Sequence, residues 1–392
     1  MKKKILFVID SLHCAGAEKS LTTLLNLLDY DKYEVDLQLF GYGGALESLL
    51  PKEVNLLSPL AYTVFSNLSL KEAIRSKKIK MLFARLGYSF KIHKGSSSNI
   101  EKARYFWKSV SKVIEENSKC YDIAISYAQG VPTFYVADKV QAKKKYAWVN
   151  VSYNLEGQDK QFQEPFYKKY QKIVAVSESA KEIFQNVYPQ FSQKVEVIYD
   201  INNPALINKL AQSGKSYDDD FDGLRLLTIG RLANQKGYDF ALDACRYLKE
   251  SGLKFRWYSL GIGPLEEEIR LMIKKYGLEN EFILLGVTDN PYSYIKGCDI
   301  YVQTSRFEGF GIAIAEARML NKPVVTTRFD AVYNQMINEK NGLVVDMNGK
   351  SVAEGILRLV NDDQLRGDII SYLQSEKKGN IEELEKFYKL IN

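Results

Sequence analysis

Asp299-Ile-Tyr-Val-Gln-Thr304, leading through Ser305-Arg306-Phe307 into Glu308-Gly309-Phe310-Gly311-Ile312-Ala-Ile-Ala-Glu316-Ala317, is the stretch on which the fold turns. The apolar run at its start reads as a buried strand, and Ile312 to Leu320 reads as a helix, so the two glycines and Phe310 form the joint between them. Glu308 then falls on the loop and Glu316 inside the helix. A loop of small residues opening a helix leaves unpaired N–H groups and a positive dipole end facing outward, which suits a diphosphate. Carboxylates placed around such a joint accept hydrogen bonds from sugar or ribose hydroxyls. Taken alone, the pattern also describes an ordinary strand-loop-helix joint with two surface glutamates. The rest of the chain decides between these readings.

Eighty residues earlier, Leu226-Leu-Thr-Ile-Gly230-Arg231-Leu-Ala-Asn-Gln-Lys236-Gly237 repeats the plan of strand, loop and helix, with two cations in the loop. Arg231 offers a planar fork and Lys236 a mobile ammonium, a pair able to neutralise a diphosphate and stabilise it as it leaves. Between the two stretches lies Leu260-Gly261-Ile-Gly263-Pro264, a third strand end, whose glycines let backbone approach a flat ring. Gly286-Val287 follows a further apolar run and completes a candidate base edge. Ligands of open α/β sheets bind beyond the carboxyl ends of the strands, so this spacing is what a real pocket produces.

Strand-like runs recur at Ile5, Val35, Ile123, Tyr146, Ile173 and Val195, then at Leu226, Phe255, Phe282, Ile300, Val324 and Leu343, with helical patterns between many of them. Such alternation implies parallel sheets. A chain of 392 residues is too long for one ordinary core and suits two α/β domains. The break is expected at 204–222, where Asn202-Asn203-Pro204 is followed by Gly214-Lys-Ser and the run Asp218-Asp219-Asp220-Phe-Asp222. That acidic run reads as a solvated linker. As a calcium loop it would need a glutamate where Ile229 stands, and no metal is expected.

In order along the chain, these residues resemble the family 4 glycosyltransferases of GT-B architecture. The resemblance covers nearly the whole length. It rests on Glu308 and Glu316 as an E-x7-E signature and on Arg231 and Lys236 within a G-R-x-x-x-x-K-G stretch. Ile173-Val-Ala-Val-Ser-Glu178, Val197-Ile-Tyr-Asp-Ile-Asn-Asn-Pro204 and Asn341-Gly-Leu-Val-Val345 add to it. It implies an α/β fold of two Rossmann-like, doubly wound parallel-sheet domains facing a central cleft. Residues 1–203 would form the acceptor-binding domain and 223–375 the nucleotide-sugar donor domain, with the C-terminal segment 376–392 crossing back onto the first. It further implies retaining transfer of a sugar from a nucleoside diphosphate, UDP foremost, to a glycan or lipid-linked acceptor of surface polysaccharide assembly. No cofactor or metal is implied. Glu308, Arg231, Lys236 and Asn150 would act in catalysis. Gly16, Gly230, Gly261, Gly263, Val287, Gly309, Phe310, Gly311, Ile312 and Glu316 would hold the donor.

Two departures from the family pattern stand out. The first loop, Asp10-Ser-Leu-His-Cys-Ala-Gly16, carries Ala15-Gly16 where relatives usually have two glycines, so close approach to phosphate is left to Gly16. Tyr146-Ala-Trp-Val-Asn150 ends in asparagine where many relatives place histidine. Asn150 hydrogen-bonds a sugar hydroxyl but shuttles no proton near neutral pH. Of the two histidines, His13 and His93, only His13 lies in a candidate loop, where a lone histidine is more often simply solvated. A front-face reaction, in which the leaving diphosphate takes the acceptor proton, needs no acid–base dyad there. Tyr153, Asn154 and Gln129 are candidate acceptor residues.

Cys14, Cys120, Cys245 and Cys298 show neither paired nor metal-ligand spacing and read as reduced thiols. Met1-Lys-Lys-Lys before Ile5–Ile9 imitates an export signal, but Asp10 ends the apolar run after five residues, and a cytoplasmic protein is expected. Residues 1–200 hold 29 Lys and Arg against 21 Asp and Glu, whereas 201–392 hold 25 against 27, within a net charge of +6. Much of the excess lies in Leu70 to Lys94, where eight cations are interleaved with apolar side chains and opposed only by Glu72. Such a segment suits an anionic membrane surface at the inner face of the cell membrane. It equally suits a soluble helix pair with a basic outer and an apolar inner face. Nucleic acid is disfavoured for want of a recognition motif. A dinucleotide oxidoreductase lacks its Gly-x-Gly-x-x-Gly opening, because Gly261-x-Gly263 is followed by Glu266. The remaining rivals are a non-catalytic GT-B subunit that accompanies another transferase, and a sugar phosphorylase on the same scaffold.

Overall fold

The computed structural model describes residues 2–13, 16–93, 98–150, 155–212, 214, 216–288 and 290–392. Cys14, Ala15, Lys94, Tyr153 and Asn154 therefore lie outside the described residues. The chain divides into two compact units, Met1–Tyr199 with Lys386–Asn392, and Asp200–Glu385.

The first unit is built on seven strands: β1 (Lys3–Ile9), β2 (Tyr33–Leu39), β3 (Val54–Leu56), β4 (Cys120–Ser126), β5 (Gln141–Val149), β6 (Lys172–Ala175) and β7 (Val195–Val197). They run in the order β3-β2-β1-β4-β5-β6-β7, and every pairing is parallel. Central parallel strands are covered on both faces, which is why β1 is apolar without alternation: Ile5, Leu6, Phe7, Val8 and Ile9 are all buried. Among the described residues, short β3 is the one strand the apolar runs did not announce. The helix Glu383–Ile391 returns the chain to this unit from Lys386 onward. Phe387 lies 6.2 Å from Phe7 and 6.0 Å from Trp148, ring to ring. Its last carbonyls, which no helical N–H can reach, are taken by Tyr146 OH at 3.0 Å (Leu390 O) and by Lys3 Nζ at 2.8 Å (Ile391 O).

The second unit holds β8 (Leu224–Ile229), β9 (Phe255–Leu260), β10 (Phe282–Gly286), β11 (Ile300–Gln303), β12 (Val324–Thr327) and β13 (Leu343–Val345), again all parallel, in the order β10-β9-β8-β11-β12-β13. The stretch 204–222, expected as a linker, belongs to this unit. Pro204–Gln212 is a helix whose Ile207 packs with Ala315 and Met319. Asp219 is not solvated spacer either: it accepts from Arg225 at 3.0 Å, Arg256 at 2.7 Å and Tyr258 OH at 2.5 Å. Burial opposes its ionisation, but these three donors outweigh it and hold the carboxyl down at about 2. The polar composition masked the apolar spacing of Ile207 and Ala211, and the Asp run concealed one residue with a structural task.

Candidate functional site

Each sheet changes direction of winding at one place: between β1 and β4 in the first unit, and between β8 and β11 in the second. Helices leave such neighbours toward opposite faces, so a crevice opens beyond their carboxyl ends. The loops that follow these four strands carry most of the residues singled out from the sequence.

In the second unit the loop after β8 brings Lys236 to the loop after β11. Lys236 Nζ lies 2.5 Å from Glu308 Oε1, with side chains only 18% and 9% exposed. The same oxygen accepts from Gln303 Nε2 at 3.0 Å and Ser305 Oγ at 2.5 Å. Tyr301 OH donates to Gln303 Oε1 at 2.5 Å, which turns the amide so that its NH2 faces Ser305 and Glu308. Burial pushes the Tyr301 phenol well above its ordinary pKa, so it remains a donor. Glu308 is thus oriented by a chain of buried polar groups that begins at the strand end. Sequence reasoning passed over Gln303, Ser305 and Tyr301 because polar residues ending an apolar run look like its boundary; their burial is what gives them this role.

The two loops are locked by more than the ion pair. Arg306 forms a bidentate pair with Asp239 at 2.8 and 2.6 Å and donates to Asn234 O at 2.9 Å. Thr304 Oγ1 donates to Lys236 O at 2.9 Å. Gly237, at φ 62°, passes so close to Thr304 that a Cβ there would stand 2.0 Å from its carbonyl oxygen. Gly230 lies under the aliphatic stem of Lys236. Arg231 is exposed, and its guanidinium makes no hydrogen bond or ion pair with any described residue. The loop places one cation fixed and one free beside the same strand end.

Gly309, Phe310 and Gly311 lead into the helix Ile312–Met319, with Gly311 at φ 80° as its N-cap. Gln335 donates to the carbonyls of both Phe310 and Gly311 and so fixes the loop with its first N–H groups outward. Glu316, inside the helix as expected, is buried and accepts from Tyr292 OH at 3.0 Å. Gly261 and Gly263 follow β9, where the loop lies close to the one after β8. Side chains there would meet Gly230 O at 2.0 Å and Leu232 O at 2.3 Å, so these glycines allow the loops after β8 and β9 to pack backbone on backbone. The apolar side chains exposed at this edge are Ile262 and Val287, which follow β9 and β10.

The first unit presents a cavity of about 430 Å³ at its own reversal point. Asp10 follows β1 and Gln129 follows β4, and both line it together with Phe40, Tyr88, Asn99 and Gln163. Surrounding protein and the charge of Glu18 push the Asp10 carboxyl up to about 7, although the side chain faces the open cavity. Asn150 follows β5. Its Nδ2 donates to Tyr127 O at 2.9 Å, tying down the loop after β4, while its Oδ1 is buried with no partner among the described residues. Gly16 is exposed and opens the helix Gly16–Leu27, whose Ser20 hydroxyl lies 2.9 Å from that of Tyr127. The sequence-derived residues that are described therefore form two groups: Gly16, Gln129 and Asn150 in the first unit, and the candidate donor residues from Gly230 to Glu316 in the second.

Residues 215–376 match the family described as glycosyl transferases group 1. Among curated relatives, the chain is 28% identical over 202 residues to the N-acetylgalactosamine-N,N'-diacetylbacillosaminyl-diphospho-undecaprenol 4-alpha-N-acetylgalactosaminyltransferase of Campylobacter jejuni, a match of 50% of this chain and 53% of that protein. It is 31% identical over 173 residues to the poly(ribitol-phosphate) alpha-N-acetylglucosaminyltransferase of Staphylococcus aureus, covering 42% of this chain and 34% of the other. The chain spans about half the length of the curated relatives it matches. Among solved structures, Anabaena HepE in complex with UDP and glucose aligns over 99% of both chains with a TM-score of 0.72 at 18% identity. The likeness in fold is that of two Rossmann-like units of the GT-B class.

Proposed function

Because residues 215–376 match the family of group 1 glycosyl transferases, we propose that the protein transfers a sugar, with retention, from a nucleoside diphosphate, UDP foremost, to a glycan or lipid-linked acceptor in surface polysaccharide assembly. The observation that carries the reading is the Lys236–Glu308 pair at the β8/β11 reversal, set beside the unpaired Arg231 and the opening of the helix Ile312–Met319.

A diphosphate in this crevice meets Arg231, Lys236 and outward N–H groups, all of which favour negative charge. Ile262 and Val287 offer the apolar edge on which a base rests. Glu316, held by Tyr292, takes the ribose hydroxyls, and Glu308, held by Gln303 and Ser305, orients the sugar. In the transfer step the bond from the anomeric carbon to the diphosphate oxygen breaks and its electron pair leaves with the phosphate. The acceptor hydroxyl attacks from the same face and passes its proton to that departing oxygen. Arg231 and Lys236 stabilise the charge that builds there, and Glu308 stabilises the positive anomeric centre. No metal has a task in this scheme.

The acceptor belongs, in this reading, to the first unit and its cavity at Asp10, Tyr88, Asn99 and Gln129. Aromatic faces beside carboxamides suit a sugar ring, and the volume falls within the range of small-ligand pockets. Asn150 has a positioning role through the carbonyl of Tyr127. A relative named for a diphospho-undecaprenol substrate supports a lipid-linked acceptor.

A thermal-shift screen against UDP, GDP, ADP and TDP, with and without EDTA, tests the donor assignment. A rise in midpoint with UDP that EDTA leaves unchanged is the expected result, since a ligand bound only by the folded state stabilises it. No rise with any nucleotide overturns the transferase and points to a non-catalytic partner subunit.

A further inference from the structure

Six large apolar side chains are exposed on two consecutive helices of the first unit. Leu70 and Ile74 lie on the helix Leu70–Arg75, and Ile79, Phe83, Leu86 and Phe90 on the helix Ile79–Ile92; all are 46–70% exposed. The last four are spaced i, i+4, i+7 and i+11, which aligns them as one stripe. The same helix is also fastened inward. Ala84, Met81 and Leu82 join the core of the unit, Tyr88 packs edge-on to Phe106 at 5.4 Å, and Arg85 donates to Leu68 O at 2.7 Å. The segment is therefore apolar on both sides, and the soluble-pair alternative, with a purely basic outer face, does not describe it.

Cations edge the stripe. Lys71, Arg75, Lys77, Lys78 and Lys80 are exposed, and none of their side chains pairs with a carboxylate among the described residues. Lys77, at φ 57°, forms the turn that joins the two helices. The one acid of the segment, Glu72, is occupied in capping its own helix, accepting from Ser69 N at 2.8 Å. Apolar contiguity on this scale marks a surface that meets something other than water. A second copy of the same face would bring these unpaired cations against one another, whereas phosphate headgroups neutralise them and acyl chains receive the phenylalanines. No helix among the described residues is long and apolar enough to cross a membrane, so the contact is with the surface.

We infer that the outward faces of Leu70–Arg75 and Ile79–Ile92 form a docking surface for an anionic phospholipid bilayer, with Ile79, Phe83, Leu86 and Phe90 entering the interface and the five cations meeting headgroups. The docking surface uses none of the donor residues, so it holds whether or not the donor reading does.

Co-sedimentation of the full chain with vesicles tests it. The native protein binds vesicles containing phosphatidylglycerol, binds phosphatidylcholine alone weakly, and is released by salt. Replacing Ile79, Phe83 and Phe90 together by serine lowers binding by about tenfold or more, and replacing Lys77, Lys78 and Lys80 by glutamate by about a hundredfold. These side chains are exposed, so both variants keep the native melting midpoint and its response to UDP. Failure of the native protein to bind anionic vesicles overturns the inference, as does binding that survives the serine substitutions. A native dimer by light scattering that Phe83→Ser converts to monomer assigns the face to a second copy and equally overturns it.

Discussion

The two reversal points share a topology and differ in what fills them. At β8/β11 the loops meet through an ion pair, a bidentate arginine clamp and glycines that pack backbone on backbone. At β1/β4 the loops stand apart around a cavity of about 430 Å³ floored by a carboxyl and carboxamides. A diphosphate carries the same charge and shape whatever sugar is attached, so in the proposed reading a fixed cluster of charge serves it. In the same reading, the hydroxyls of an acceptor sugar meet a roomier pocket of hydrogen-bonding groups. The sheet order supplies a crevice twice, and different side chains line each one.

The sharpest way to break this comparison is to remove charge from one crevice and hydrogen bonding from the other. Lys236→Ala is expected to lower turnover roughly a hundredfold, because it deletes a contact that strengthens as the leaving phosphate gains charge. Glu316→Ala should cost a similar factor. The melting midpoint of Lys236→Ala should move little, since Glu308 keeps Gln303 and Ser305 as donors. Gln129→Ala, in the other crevice, should raise the acceptor KM several-fold and leave hydrolysis of the donor in water unchanged. Steady-state kinetics with both substrates varied separates the outcomes. Unchanged turnover in both charge variants would remove the donor site from the second unit.

A smaller effect distinguishes how the crevices are built. Gly261→Ala places a methyl group 2.0 Å from Gly230 O, a backbone atom that no side-chain rotation can move aside. The loops after β8 and β9 must separate, at a cost of about 2 kcal/mol by analogy with overpacked cores. A lowered midpoint in denaturant and weaker UDP binding should appear together. Gly43→Ala, in a loop of the first unit where nothing stands within 4 Å, carries only the strain of its φ of 84° and should leave nucleotide binding alone.

The contrast also explains what the sequence disclosed. Among the described residues, twelve of the thirteen strands fall on apolar runs, most plainly the central parallel ones, which are buried on both faces. Only β3 escaped the reading, although β7 and β13 are equally short and also stand at sheet edges. Glu308, Glu316, Arg231 and Lys236 were legible because a charge cluster needs fixed residue types at fixed offsets from a strand end. Asp10, Tyr88 and Asn99 were not, since they come from three separate elements and only folding brings them to one cavity. Tyr292 and Gln335, which hold Glu316 and the Phe310–Gly311 carbonyls, are likewise distant in sequence from what they position. The outward turn of Phe83 and Phe90 was beyond periodicity, which locates a stripe on a helix without saying whether that stripe faces the core or the solvent.

The smallest effect concerns the floor of the first crevice. The Asp10 carboxyl, raised to about 7 from an ordinary 3.8, binds its proton more tightly in the folded chain than in the unfolded one. Its contribution to stability is complete below pH 4 and is lost as pH rises toward 7. Asp219 and Asp239 work in the opposite sense. Burial opposes their ionisation, yet hydrogen bonds and nearby arginines lower both, so their contribution is lost only as pH falls below 4. The two windows barely overlap. Asp10→Asn should therefore melt higher relative to the native protein at pH 7 than at pH 4, while the acid-side fall below pH 4 stays as it was. Melting curves of both proteins across this range measure the difference directly. Parallel curves would mean that Asp10 is ionised across the whole range, and that the first crevice, like the second, presents a fixed charge.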